Sequence, residues 1–148
     1  MNEMSKSHAA RLRAGDYSFL KGTVLDICSG PDSIKLPPPS TVDSWDLPQG
    51  DAQYLEGIPD GKYNAAVCSH GIEHMADPAI AIKNWGRVLK EGGCLYVLAP
   101  SFLFYEKLHD FTFGTNNASR FNGDHKTSWD LLNLENPPKN HRHYAFKD

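Results

Sequence analysis

The chain is short of several things at once, and each shortage narrows what it can be. It has only 3 cysteines in 148 residues, Cys28, Cys68 and Cys94. An odd number cannot all pair within one chain, and each sits in or beside an apolar run, so they read as small buried hydrophobes in a reducing compartment. No apolar run approaches membrane-spanning length, and residues 1–15 are polar with no hydrophobic leader region. The expectation is a soluble, cytoplasmic protein with no membrane partner. No block of like charge occurs and the formal net charge is −3, so the electrostatic footprint of a general nucleic-acid binder is missing. Internal repeats and coiled-coil heptads are absent too. At this length the chain builds one domain with a single core.

What is present begins with Thr23-Val24-Leu25-Asp26-Ile27-Cys28-Ser29-Gly30-Pro31-Asp32. An apolar run carrying one acid stops abruptly at a turn of small residues, the pattern of a buried strand delivering a ligand-binding loop. Residues 41–45 form a second short strand. Between them the run Pro37-Pro38-Pro39 forbids an ordinary helix. Parallel strands normally need a helical crossover of a dozen or more residues, so this connection must be mostly extended loop. Residues 46–55 again leave no room for a full helix.

Turn chemistry at Pro59-Asp60-Gly61 precedes residues 63–69, apolar enough for a central strand. Asp77-Pro78 then reads as a helix start, with the carboxylate as N-cap and proline at the first helical position. Ala81, Trp85, Val88 and Leu89 share one helical face, Lys90 lies in the last turn, and Gly92-Gly93 ends the helix before a further buried strand. A short helix is expected within residues 5–20, and another over residues 127–134. Beyond Pro100 the aromatic residues Phe102, Phe104, Tyr105, Phe111, Phe113 and Phe121 lie among polar ones. They mark residues 101–148 as a lid or acceptor segment on a core of about residues 20–100. Residues 136–148 fit either a final strand or a disordered end.

Four pieces, VLDICSGPD, the GDA at Asp51, YNAAVCSHGIEHMADP and GRVLKEGGCLYVLAP, span about residues 24–100. In that order they resemble a small or truncated class I S-adenosylmethionine-dependent methyltransferase of the type 11 kind. The resemblance implies an α/β fold: a Rossmann-like open, mostly parallel sheet with helices on its faces, here with a reduced crossover between strands one and two. It also implies S-adenosylmethionine as cofactor, with its ligand at the strand ends. The cofactor carries a sulfonium, an amino acid, a ribose diol and an adenine, so a site for it needs carboxylates, backbone donors and an apolar slot.

Carried over residue by residue, the resemblance assigns the methionine end to Asp26, Cys28, Ser29 and Gly30. Family members usually have glycine where Cys28 and Asp32 stand. The ribose hydroxyls fall to Asp46, with Asp43 as the alternative. Asp51 and Ala52 correspond to the adenine-contacting pair. Ser69 and His70 follow the central strand, where the family faces the sulfonium and the nucleophile, and His70 is the candidate catalytic residue. His74 is expected to pack or cap near Glu73. Asp124-His125-Lys126-Thr127-Ser128-Trp129 resembles a stretch lining the acceptor pocket in some members.

Two rival readings stand beside methyl transfer. One is a binding or regulatory module of the same architecture without catalysis, motivated by the missing crossover helices, the altered glycines and the short stretch after Pro100. The other is a zinc hydrolase, since His70-Gly71-Ile72-Glu73-His74 also spells H-x-x-E-H. That motif needs both histidines on one helical face. Here an apolar strand runs directly into His70 and Gly71 weakens any helix. The acceptor is not identified; a small molecule is favoured and nucleic acid disfavoured, and oligomeric state is not legible.

Overall fold

The computed structural model describes residues 13–15, 17–100, 126–130 and 142–145. Strands β1 (Thr23–Ile27), β2 (Thr41–Trp45), β3 (Tyr63–Ser69) and β4 (Leu89–Leu98) form one parallel sheet in the order β2-β1-β3-β4. Thr23 opposes Thr41 on one side of β1, and Val24 opposes Ala65 on the other. The chain therefore steps from β1 to one edge and returns past it to the opposite side. Such a reversal leaves a crevice at the carboxyl ends of the strands. The expected open parallel α/β sheet is the observed one.

Period-two alternation in β1 and β3 supplies both faces with core side chains. Leu25, Ile27, Ala66 and Cys68 enter one buried cluster with Trp85, Val88, Leu55 and Ile72. Val24, Ala65 and Val67 enter a second with Tyr17, Leu20 and Ile34. The first face is covered by α1 (Pro78–Arg87), whose start follows its sequence signal: the Asp77 side chain accepts from the Ala79 and Ile80 N–H groups, and Pro78 opens the helix. Ala81 and Trp85, four apart, are fully buried.

The second face is covered where no helix exists. Residues 28–40 are turns and irregular chain without a helix, and Asp26 pins them: its Oδ2 accepts from Ser33 Oγ and the Ile34 N–H, both at 2.8 Å. That grip drops Ile34 into the second cluster, where a crossover helix would otherwise supply an apolar side chain.

Three expectations need correction or placement. The helix stops at Arg87, not at Gly92-Gly93, and β4 begins at Leu89. Leu89 pairs with Tyr63 and Cys94 with Ala65, so Lys90-Glu91-Gly92-Gly93 form an irregularity inside the strand. Ladder pairing of Leu89 outcompetes one more helical turn. Residues 127–134 do not open as a helix either. Thr127–Asp130 is a strand, β5, parallel to β6 (Arg142–Ala145). Thr127 is β-branched and buried, and the preceding Lys126 N–H donates to Glu73 O at 2.7 Å, fixing the chain in extended form. Within residues 136–148, the segment 142–145 is therefore strand. The proposed helix in residues 5–20 lies mostly outside the described residues, though Arg13 and Ala14 are helical. The aromatic segment 101–125 lies wholly outside them. Among the described residues, no helix is long and apolar enough to cross a membrane.

Candidate functional site

A cavity of about 480 Å³ opens at the carboxyl ends of the strands, lined among others by Cys28, Asp46, Asp51, Gly71, His74 and Lys126. Three of these follow the last residues of neighbouring strands. Cys28 comes directly after β1, Asp46 directly after β2, and Gly71 two residues after β3. The crevice left by the strand order is thus the cavity itself.

Asp46 and Asp51 are held by their own loops. Asp46 Oδ1 accepts from the Leu47 N–H at 2.9 Å, while its N–H donates to Gln49 Oε1. Asp51 Oδ1 accepts from the Gln53 N–H at 2.8 Å, an Asx turn. In each, Oδ2 makes no hydrogen bond among the described residues, so each carboxylate keeps one acceptor oxygen for a ligand. Between them stands Gly50, at φ +139°. A Cβ there would lie 3.1 Å from the Trp45 ring, so glycine lets this loop close over the end of β2.

The segment after Asp51 has no helix of its own, and α1 satisfies its carbonyls instead. Trp85 Nε1 donates to Ala52 O at 2.8 Å and Asn84 Nδ2 to Gln53 O at 3.1 Å. The Arg87 guanidinium donates to Ile58 O, Leu55 O and the Asp60 carboxylate. Gln53 Oε1 returns a bond by accepting the Asp77 N–H at the helix start. The Ala52, Gln53 and Ile58 carbonyls are thus satisfied from α1, and Leu55 O accepts both from Arg87 and from the Ile58 N–H of its own turn.

Of the sequence-derived site residues, Cys28, Asp46, Asp51 and Ala52 line the cavity. Asp26 does not reach its wall: it is fully buried and engaged with residues 33 and 34. Ser29, Gly30 and Ser69 are likewise off the lining, in the turn after β1 and at the end of β3. Asp43, the alternative to Asp46, sits in the middle of β2, with its carboxylate turned to the start of β3. Its Oδ2 accepts from Lys62 Nζ at 3.0 Å and Tyr63 Oη at 2.9 Å. The Lys62 bond holds the Asp43 carboxyl below its usual range, and burial raises the Tyr63 phenol.

The histidines exchange places relative to expectation. His74, expected to pack or cap near Glu73, is a cavity residue, and His70 is not. A 3-10 turn, Ile72–His74, follows β3, and in that geometry side chains three apart eclipse. Gly71 and His74 therefore share the cavity side, while His70 and Glu73 share the other, with His70 Nδ1 3.7 Å from Glu73 Oε1. His70 itself adopts φ +56° ahead of the turn. The two histidines thus share no helical face, and no cluster of metal-ligating side chains occurs among the described residues. Lys126 joins the site through the 3-10 turn, since its N–H bonds to Glu73 O. The pairing itself leaves no local mark in sequence, but Lys126 belongs to the stretch 124–129 that the resemblance points to as pocket lining.

Comparison with known proteins points the same way. The family model described as a methyltransferase domain matches residues 8–97. A curated relative, the ubiquinone/menaquinone biosynthesis C-methyltransferase UbiE of Saccharophagus degradans, is 38% identical over 66 residues. The match covers 43% of this chain and 26% of that protein, so the chain spans about a quarter of the length of the curated relative it matches. No solved structure matches the chain.

Proposed function

Since the chain belongs to the methyltransferase-domain family, we propose that its cleft binds S-adenosylmethionine and serves transfer of a methyl group to an acceptor. One observation carries the reading: Asp46 and Asp51 meet at a single cavity, each with a carboxylate oxygen uncommitted. The residues fit the group. Asp46 receives the two ribose hydroxyls, a task one carboxylate can perform. Asp51 receives the exocyclic amine of adenine, and Leu47, Ala52 and Met75 supply apolar walls. The turn Cys28-Ser29-Gly30 meets the methionine end. Asp26 and Ser69 act on it from beneath, the first by holding residues 33 and 34. The cavity volume suits a ligand of this size.

When bound, the cofactor supplies an electrophilic methyl on a sulfonium. The chain's residues align the acceptor with it, exclude water and take up a proton where the acceptor carries one. His74, which lines the cavity, is the proposed proton acceptor in place of His70, which lies off the lining against the buried Glu73. We assign His74 and Lys126, which line the cavity, to the acceptor, which is proposed to be a small molecule. Calorimetric titration with S-adenosylhomocysteine tests the cofactor reading; no binding at millimolar ligand overturns it.

The helix-free crossovers at residues 28–40 and 46–62 favour, as a second reading, a cofactor-binding module without transfer. Methyl transfer to any acceptor that is lost in Asp46→Ala excludes that module.

A further inference from the structure

Cys28 and Cys68 converge although they are forty residues apart in sequence. Cys68 lies in β3 opposite Ile27, the residue just before Cys28. Strand spacing near 4.8 Å and a rise near 3.3 Å per residue make the Cα separation of such a diagonal pair about 6 Å, within the disulfide range of about 4.4–6.8 Å. Cys28 adopts φ +58°, and its side chain packs against the same cluster that contains Cys68. Gly71 shows how near the sulfurs are to each other. A Cβ on Gly71 would stand 2.6 Å from Cys68 Sγ and 2.8 Å from Cys28 Sγ, so both sulfurs crowd one point. Both cysteines are free thiols. Cys94 packs against the other cluster and takes no part.

We propose that Cys28 and Cys68 form a peroxide-responsive dithiol in the floor of the cleft, whose closure to a disulfide releases the cofactor. The release rests on the cofactor reading above; the thiol chemistry does not. Cys28 lines the cavity and is partly exposed, whereas Cys68 is fully buried. A small hydroperoxide entering the cavity therefore meets Cys28 first. The hydrogen bond with Cys28, and then burial, push the Cys68 thiol well up, which keeps it protonated until its partner is oxidised.

The Cys28 thiolate attacks one peroxide oxygen: an S–O bond forms, the O–O bond breaks, and hydroxide leaves with the thiol proton as water. Cys68 sulfur then attacks the Cys28 sulfenic sulfur. The S–S bond forms, the S–O bond breaks, and the second hydroxide leaves as water with the Cys68 proton. Two thiols are oxidised and one peroxide is reduced to two waters. The link bears on the ligand site because the Cys28 and Ser29 N–H groups both donate to Trp45 O, at 2.8 and 3.3 Å, immediately before Asp46. Drawing Cys28 toward β3 pulls on the end of β2 that carries that carboxylate.

The test treats the reduced wild-type chain with hydrogen peroxide, counts alkylatable thiols after denaturation and maps non-reduced peptides. Expected are one remaining thiol, Cys94, a Cys28–Cys68 link and a mass lower by two hydrogens, all reversed by dithiothreitol; Cys28→Ser leaves Cys68 and Cys94 both alkylatable. Three thiols after treatment, or Cys28 driven to sulfinic acid with Cys68 free, overturn the dithiol. Calorimetry with S-adenosylhomocysteine then reads at least a tenfold weaker affinity in the oxidised chain, and unchanged affinity overturns the release. A reduced chain that does not bind S-adenosylhomocysteine overturns the cofactor reading and the release, while the peptide map still decides the dithiol.

Discussion

Asp46 divides its carboxylate between loop and ligand, and the division makes its two roles separable. Asp46→Asn keeps an Oδ1 for the Leu47 N–H and removes the charge, so stability moves by less than about 0.5 kcal/mol. Charge-assisted hydrogen bonds contribute about 1.5–3 kcal/mol, so affinity for S-adenosylhomocysteine falls about tenfold or more by calorimetry. Asp26 behaves in the opposite way. Asp26→Ala strips the buried Ile34 N–H of its acceptor, costing about 2–3 kcal/mol in chemical denaturation. Asp43 titrates in isolation from the cleft. Its carboxyl is held low in the folded chain, first by Lys62, so its contribution is complete above the ordinary carboxylate value and fades as pH falls through the lowered one. Both partners are nearly half exposed, at 43% and 47%. Asp43→Asn therefore costs under about 1 kcal/mol near neutral pH and less still near pH 2, by denaturation at both. Asp46 is legible in the sequence because the first acid beyond a strand end needs only the strand to be found. His74 is not, because a single 3-10 turn after His70 decides which histidine faces the cavity.

Helix α1 acts less as a crossover than as a brace for residues 51–60. Trp85, Asn84 and Arg87 reach the carbonyls of a loop that has no internal ladder. Trp85→Phe keeps an aromatic side chain in the core but leaves Ala52 O without its buried donor. We expect a loss of about 1–3 kcal/mol on thermal or chemical denaturation. Weaker S-adenosylhomocysteine binding accompanies it, because Ala52 follows Asp51 directly. The start of this helix is readable from Asp77-Pro78, whose capping is local chemistry. Its end is not, since Leu89 is drawn into the ladder by Tyr63 across the sheet. The strand at Thr127–Asp130 escapes sequence reasoning for the same reason: its partner lies at Arg142–Ala145.

At the scale of the molecule, the order β2-β1-β3-β4 brings the ends of three strands to one crevice. Two apolar clusters flank the sheet, one beneath α1 and one beneath the helix-free crossover that Asp26 ties down. That arrangement is readable in the sequence because apolar runs with their acids, glycines and prolines fix the strands. The third dimension of the site, including how Lys126 of the stretch 124–129 reaches the cavity and the meeting of Cys28 with Cys68, arises from their assembly. A ligand that binds only the folded chain raises its melting temperature in a concentration-dependent way, but cannot say where it sits. The direct measurement is a crystal structure of the chain with S-adenosylhomocysteine. The account predicts ribose hydroxyls within hydrogen-bond distance of Asp46 and the adenine amine at Asp51. A ligand bound elsewhere, with both carboxylates turned to solvent, contradicts it.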